Sequence, residues 1–280
     1  MKVVNLASVP VEEVPHVREG IFRTRKLLNG RPGTPGNFAL QLVRTPDTYY
    51  SPRHRHNFDQ VRYQLEGEFD FTRDGIMGPG IIGYFPEGTH YGPQDTKCSS
   101  LTLVLQFGGD SGSGYLSAEE YRQAADVLSQ TGTFAKGIYT TVKPDGKKIN
   151  KDAYEAVWEA VHGKPLVYPR SPYDKPVFIN PDSIQWEQTE YSGVTRKVLG
   201  DFSKTGTRLY QFLLQPGVEF MLEDNCLYFI ETGQGSINDS HFEKHASVHV
   251  EPGETPVLKA DIETMILQMG LPALGSIHPH

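Results

Sequence analysis

Cysteine is scarce in this chain. Only Cys98 and Cys226 occur among 280 residues, far apart and in none of the close spacings that bind zinc or build a disulfide framework. Two reduced, partly buried thiols are the expectation. Long apolar runs are missing as well: nothing approaches the roughly 20 residues that a membrane span needs. The opening, Met1 to Gly20, is rich in acids and proline and has no apolar segment of the kind a secretory leader carries. A cytoplasmic protein with no membrane partner is expected. Positive charge is the third shortage. Lys and Arg number 27 against 34 Asp and Glu, a formal charge of −7, so the basic face that nucleic acid requires is not expected either. The run from Arg53 to His56 is too short to supply one.

Turn residues, by contrast, are plentiful. The 28 glycines and 20 prolines suit a protein of many short strands, and 38% hydrophobic with 22% charged residues is a globular balance. The length allows one large domain or two ordinary ones. The stretch Ser51 to Pro93 organises the rest. It reads as two β-arms joined at Asp74-Gly75, a common hairpin dipeptide. His54 and His56 are two apart, so an extended chain projects both imidazoles from one face, about 6.6 Å apart. Gln60 and Arg62 share that parity. Two imidazoles and an amide oxygen on one face present a divalent metal.

These residues resemble the two motifs of the cupins. The first, H-x-H-x(3,4)-E followed by Gly, stands here as His54-Arg-His56-Asn-Phe-Asp-Gln60 and then Leu65-Glu-Gly67. The second, G-x(5)-P-x-G-x(2)-H-x(3)-N, stands as Gly80-Ile-Ile-Gly-Tyr-Phe-Pro86-Glu-Gly88. Two departures matter. Gln60 replaces the glutamate, and Tyr91 occupies the place of the histidine while His90 falls one residue early.

The other segments build outward from this core. Phe38–Arg44 and Leu101–Phe107 read as strands. After a flexible Gly108–Gly114 stretch, Ser117 and Glu120 form a capping-box pattern that opens a helix to residue 130, with Tyr121, Ala124, Ala125 and Leu128 on one face. A second helix is expected over 150–162, its apolar face carrying Ala153, Tyr154, Val157, Trp158 and Val161, with Trp158 as core. Pro165–Pro181 reads as an extended linker. From Ser183 the pattern is β again and echoes the first half: Tyr228–Gly235 parallels Tyr63–Phe69, Val248–Pro256 parallels Ile82–His90, and Thr264–Met269 parallels Thr102–Phe107. The expected architecture is all-β: two cupin (jelly-roll) barrels joined by a segment with two short helices. The divisions fall at 1–110, 111–182 and 183–280. The second copy lacks the motif histidines, and His241, His245 and His249 read as exposed hairpin residues.

The resemblance implies a metal centre in the first barrel. His54 and His56 are its expected ligands. Gln60 is either a weak ligand, leaving the ion more positive, or only a hydrogen-bonding group. The last ligand is open between His90, the better donor and the slightly favoured choice, and Tyr91. If Tyr91 holds the family position, it suits proton transfer. Arg62 is expected to orient an anionic or phenolic substrate, or else to pair with Glu66 or Glu68. Phe58, Phe69, Phe71 and Tyr84 are candidate pocket walls. Iron(II) is the first candidate, with manganese, nickel or zinc open. Two classes of function follow. One is a metal-dependent enzyme acting on a small molecule, foremost an oxygenase like the cupin dioxygenases, with a lyase or isomerase as a variant. The other is a non-catalytic binding module. A homodimer is expected from the family.

Overall fold

The computed structural model describes residues 1–15 and 21–273, so the last seven residues of the expected second barrel lie outside it. Two seven-stranded antiparallel sheets dominate. The first runs, in spatial order, Val177–Ile179, Ile82–Phe85, Asp59–Glu66, Ser100–Phe107, Phe38–Thr45, Ile21–Asn29 and Glu12–Pro15. The second runs Lys2–Val4, Ser247–Val250, Cys226–Thr232, Thr264–Gly270, Arg208–Leu214, Val194–Asp201 and Glu187–Gln188. Each faces a smaller four-stranded sheet, so the chain is an all-β, two-barrel protein. Strands cross the expected divisions at both ends. Lys2–Val4 pairs with Ser247–Val250 of the second barrel, and Val177–Ile179 pairs with Ile82–Phe85 of the first.

Alternation along the strands explains why the large sheets meet. On Asp59–Glu66 and Ser100–Phe107, one face carries Val61, Tyr63, Leu103, Leu105 and Phe107. These join Leu209, Leu227, Phe229, Leu267 and Met269 of the other half in one shared apolar core. Period-two patterning therefore welds the barrels through their broad sheets. The opposite faces differ between copies. The second barrel is filled by Phe212, Leu214, Cys226, Tyr228, Ile230 and Ile266, while the matching face of the first carries Gln60, Arg62 and Gln64.

The repeat is visible as a shared bulge. Pairing skips Leu65 in the first copy and Glu231 in the second. Aligned on that bulge, Tyr63 corresponds to Phe229, one residue away from the match that sequence similarity suggests. Glu231 itself is buried and accepts from the Tyr63 hydroxyl (2.6 Å), binding the copies across the seam.

The insert is a small layered unit. Helix α1 (Ala118–Leu128) starts with the full Ser117–Glu120 capping box. Helix α2 (Ala153–His162) is capped by Asp152 rather than starting at Asn150, and Gly163 closes it in the left-handed region. Residues 132–152 form a three-stranded sheet that the helical reading did not anticipate. Val157, Trp158, Leu116 and Leu166 make its core, whereas Val161 is exposed. Cys226 is buried, Cys98 is exposed rather than partly buried, and both are free.

One carboxylate lies deep in the seam. Asp59 accepts from the Tyr84 hydroxyl (2.7 Å) and the Glu87 backbone N–H (2.8 Å), and burial pushes its pKa up to about 7. The folded chain therefore holds a proton here that the unfolded chain releases at lower pH, so this group's contribution to stability falls as pH rises from about 4 to about 7. Asp59→Asn, which keeps an acceptor and adds no charge, should gain on the wild type across that window by up to about 4 kcal/mol. Urea unfolding of both proteins at about pH 4 and about pH 8 measures it. A constant difference would show that Asp59 is ionised throughout.

Candidate functional site

The expected site residues gather at one end of the first barrel, with one exception. His54 and His56 precede the strand rather than sit on it, yet they are held. The His54 N–H donates to the Tyr91 carbonyl (3.1 Å), the Tyr91 N–H donates to the His54 carbonyl (2.9 Å), and the Gly88 N–H donates to the His56 carbonyl (2.7 Å). Directly paired residues share a face, so Tyr91 stands beside His54, with ring centroids 4.5 Å apart. The neighbouring residue must point away. His90 accordingly is exposed, and partial desolvation, with the nearby charges of Arg55, Arg53 and Arg73, holds its imidazole below the usual pKa. The structure therefore brings Tyr91, and not the favoured His90, beside the histidine pair.

The two imidazoles stand 4.9 Å apart, centroid to centroid, and nearly perpendicular. The Nδ1 of His54 lies 2.7 Å from the Pro52 carbonyl, an acceptor, so this nitrogen carries a proton and donates. Two imidazoles bound through nitrogen at about 2.1 Å to one ion place their centroids about 5 Å apart. The pair therefore fits a shared ion. Among the described residues, no group of three or more His, Cys, Asp or Glu side chains forms a metal cage. The side chains gathered here are two imidazoles and a phenol, with the Gln60 amide below them.

Gln60 sits beneath them but is engaged elsewhere. Arg62 donates from Nε (3.1 Å) and Nη2 (2.9 Å) to the Gln60 Oε1, which fixes the amide's orientation. The amide nitrogen then donates to the Tyr91 hydroxyl (3.3 Å). Arg62 also donates to the Tyr91 hydroxyl (3.2 Å) and to Gln94 Oε1 (2.6 Å), and its guanidinium lies 4.5 Å over the Phe85 ring. Glu66 instead pairs with Arg44. Among the described residues, no carboxylate lies within ion-pair distance of Arg62, so the interior holds an uncompensated cation.

The walls are Phe69, Phe71, Phe85 and Met77, packed with Tyr91 and Tyr49. Tyr84 is not among them. It pairs with Val61 on the outer face and packs against Phe202 in the seam (4.4 Å). Phe58 contacts His56 at 4.5 Å. Gln94 and Phe85 were not expected. Phe85 follows from parity with Gln60, but nothing in the local pattern marks Gln94. The turn that presents Tyr91 is also tightly fixed. Gly88 adopts φ +76°, and a Cβ there would meet the Pro169 carbonyl at 2.2 Å, so the insert's tail lies directly on it.

No protein-family model matches the chain, and no curated protein matches its sequence. Solved structures do. A Nostoc punctiforme protein designated a candidate dioxygenase is 10% identical with a TM-score of 0.61, the match covering 100% of this chain and 87% of that one. HEPD of Streptomyces albus, solved with 2-hydroxyethylphosphonate and Fe(II), is 12% identical with a TM-score of 0.58, covering 98% and 77%. Oxalate decarboxylase of Lactobacillus farciminis, solved as a formate complex, is 12% identical with a TM-score of 0.55, covering 96% and 86%. The chain has the two-barrel cupin fold. No helix among the described residues is long and apolar enough to cross a membrane.

Asp74 braces the Tyr91 turn. Its Oδ2 accepts from Arg53 (2.8 Å) and from the Gly92 N–H (3.0 Å), while Arg53 also donates to the Gly92 and His90 carbonyls. The carboxylate is buried and Arg53 only partly so, which places the cost of Asp74→Ala at about 2 kcal/mol. Urea unfolding should show that loss. A change below about 0.5 kcal/mol, the range of an ordinary surface substitution, would mean that the turn holds without the pair.

Proposed function

We propose that this chain is a metal-dependent cupin enzyme, foremost an oxygenase of the dioxygenase type, acting on a small anionic or phenolic molecule in its first barrel. The observation that carries the reading is Arg62: a guanidinium without a carboxylate partner among the described residues, one hydrogen bond from a tyrosine that touches the histidine pair. An interior cation lacking a counter-charge favours an anionic ligand. His54 and His56 would hold the ion, and Tyr91, beside them, would handle a proton. Iron(II) comes first, and manganese, nickel and zinc remain alternatives. When bound, such an ion supplies Lewis-acid chemistry and, if iron, dioxygen chemistry.

The chain's own residues do the rest. Gln60 and Gln94 accept from Arg62 and aim it, so Arg62 anchors and orients the anion. The Tyr91 oxygen accepts from Gln60 and Arg62, which holds the phenol in place to exchange a proton with a ligand oxygen. Phe71 and Phe85 keep water from the charged groups. The structural neighbours support this reading in kind. HEPD was solved with a phosphonate and Fe(II), and oxalate decarboxylase with formate, both small anions. The engagement of Gln60 by Arg62 favours the second reading, a non-catalytic binding module, and a lyase or isomerase uses the same residues. A cytoplasmic homodimer belongs to the same proposal.

Elemental analysis of the purified protein beside a His54→Ala/His56→Ala variant tests the metal. Near-stoichiometric iron, manganese, nickel or zinc should be present and should vanish in the variant. Oxygen uptake is then measured first if the metal is iron. A wild type that stays metal-free after anaerobic loading would overturn the enzyme reading in favour of the binding module.

A further inference from the structure

The insert lies over the mouth of the first barrel and contributes rings to it. Tyr154 of α2 stands 5.8 Å from the His56 ring at 85° and 5.7 Å from Phe58. Tyr121 of α1 stacks on Tyr154 at 6.3 Å, and Tyr115 meets Phe58 edge-on at 5.2 Å. On the far side, the Arg55 guanidinium lies 3.9 Å over Tyr168. The rings of one inserted unit thus cluster beside His56 and Phe58. The Tyr154 hydroxyl is buried and has no hydrogen-bond partner among the described residues.

A buried hydroxyl without a partner is uncommon in a folded protein, because folding strips it of water and returns nothing. Asp152, which caps α2, accepts from the Tyr154 backbone N–H rather than from its hydroxyl. A group of this kind is explained where a ligand brings the acceptor. The surrounding aromatic rings favour a flat, aromatic body, which they can stack and meet edge-on. Arg62 below and Arg55 at the rim favour negative charge on it.

We propose that Tyr154 is a substrate-contacting residue of the first-barrel site, donating its hydroxyl to an oxyanion on an aromatic ligand held by the tyrosines of the insert. This rests on the reading of that barrel as the ligand site, and it narrows the substrate class to aromatic phenolates and carboxylates. The insert is then the specificity element and the barrel the scaffold.

The test titrates the full chain, without added metal, with 4-nitrophenolate, followed by its absorbance, with formate as a non-aromatic competitor. Wild type should bind the probe, and formate should compete at least about tenfold more weakly. Tyr154→Phe should weaken probe binding about tenfold, the loss of one hydrogen bond to a charged acceptor. Its ligand-free thermal midpoint should equal or exceed that of the wild type, since only an unpartnered hydroxyl is removed. Equal probe affinity in Tyr154→Phe, a lowered midpoint, or no binding by the wild type would each overturn the inference. Metal content separates the two proposals. Tyr154-dependent binding by a wild type that stays metal-free after anaerobic loading sinks the metal reading and leaves this one standing. Metal in the wild type with binding indifferent to Tyr154 does the reverse.

Discussion

Because side chains alternate along a strand, Asp59–Glu66 has to satisfy two environments at once. Val61 and Tyr63 go into the apolar seam between the barrels, and Gln60 and Arg62 go into the first barrel's interior. A slip of one residue would drive a guanidinium into the seam and leave apolar residues facing the histidines. Each large apolar side chain sealed in the seam contributes about 1.5–3 kcal/mol, so the seam dictates the register. The candidate site thus inherits its geometry from packing on the opposite face. Ile82–Phe85 repeats the logic, with Tyr84 in the seam and Phe85 under Arg62.

The second copy shows what the same scaffold becomes without a polar row. Aligned on the bulge, Tyr228 takes the position of Arg62 and Cys226 that of Gln60. The Tyr228 hydroxyl is satisfied locally, accepting from the Glu223 N–H and donating to its carbonyl, and burial pushes the Cys226 thiol up to about 11. Its interior is a continuous apolar core. Among the described residues, no cation stands uncompensated in that interior and no histidine belongs to its core. That barrel buries surface for the seam and braces the chain's first strand.

Much of this was legible in the residues. Alternation and turn chemistry pointed to strands, the duplication to two barrels, and the His54/His56 spacing with the Pro86-Glu87-Gly88 turn to side chains that the fold does bring together. Three things were not legible, each for a physical reason. Parity is defined only within a strand, so the face of His90 depended on a bridge between His54 and Tyr91 that no local pattern reveals. Residues 132–152 form strands because α1 and α2 give them something to pack on, which outweighs weak local preference. Tyr154 was placed on the apolar face of its helix correctly. Its contact with His56 arises only when the insert docks on a barrel distant in sequence.

The departures from the cupin pattern at positions 60 and 91 belong together with Arg62. A carboxylate at position 60 would meet the guanidinium as an ion pair, cancel its charge and bring a further anionic donor towards the histidines. The amide does neither. It accepts from Arg62, holding it in place without neutralising it, and passes a hydrogen bond on to Tyr91. Tyr91, in turn, offers an oxygen where a third imidazole would offer nitrogen, and Arg62 reaches that oxygen directly. Glutamine, arginine and tyrosine therefore form one unit whose net charge is positive and whose tyrosine ring lies against His54. Burying such a unit is costly while its charge stands alone and favourable once an anion completes it. The missing glutamate is then no sign of decay, for in the proposed reading its negative charge arrives with the ligand.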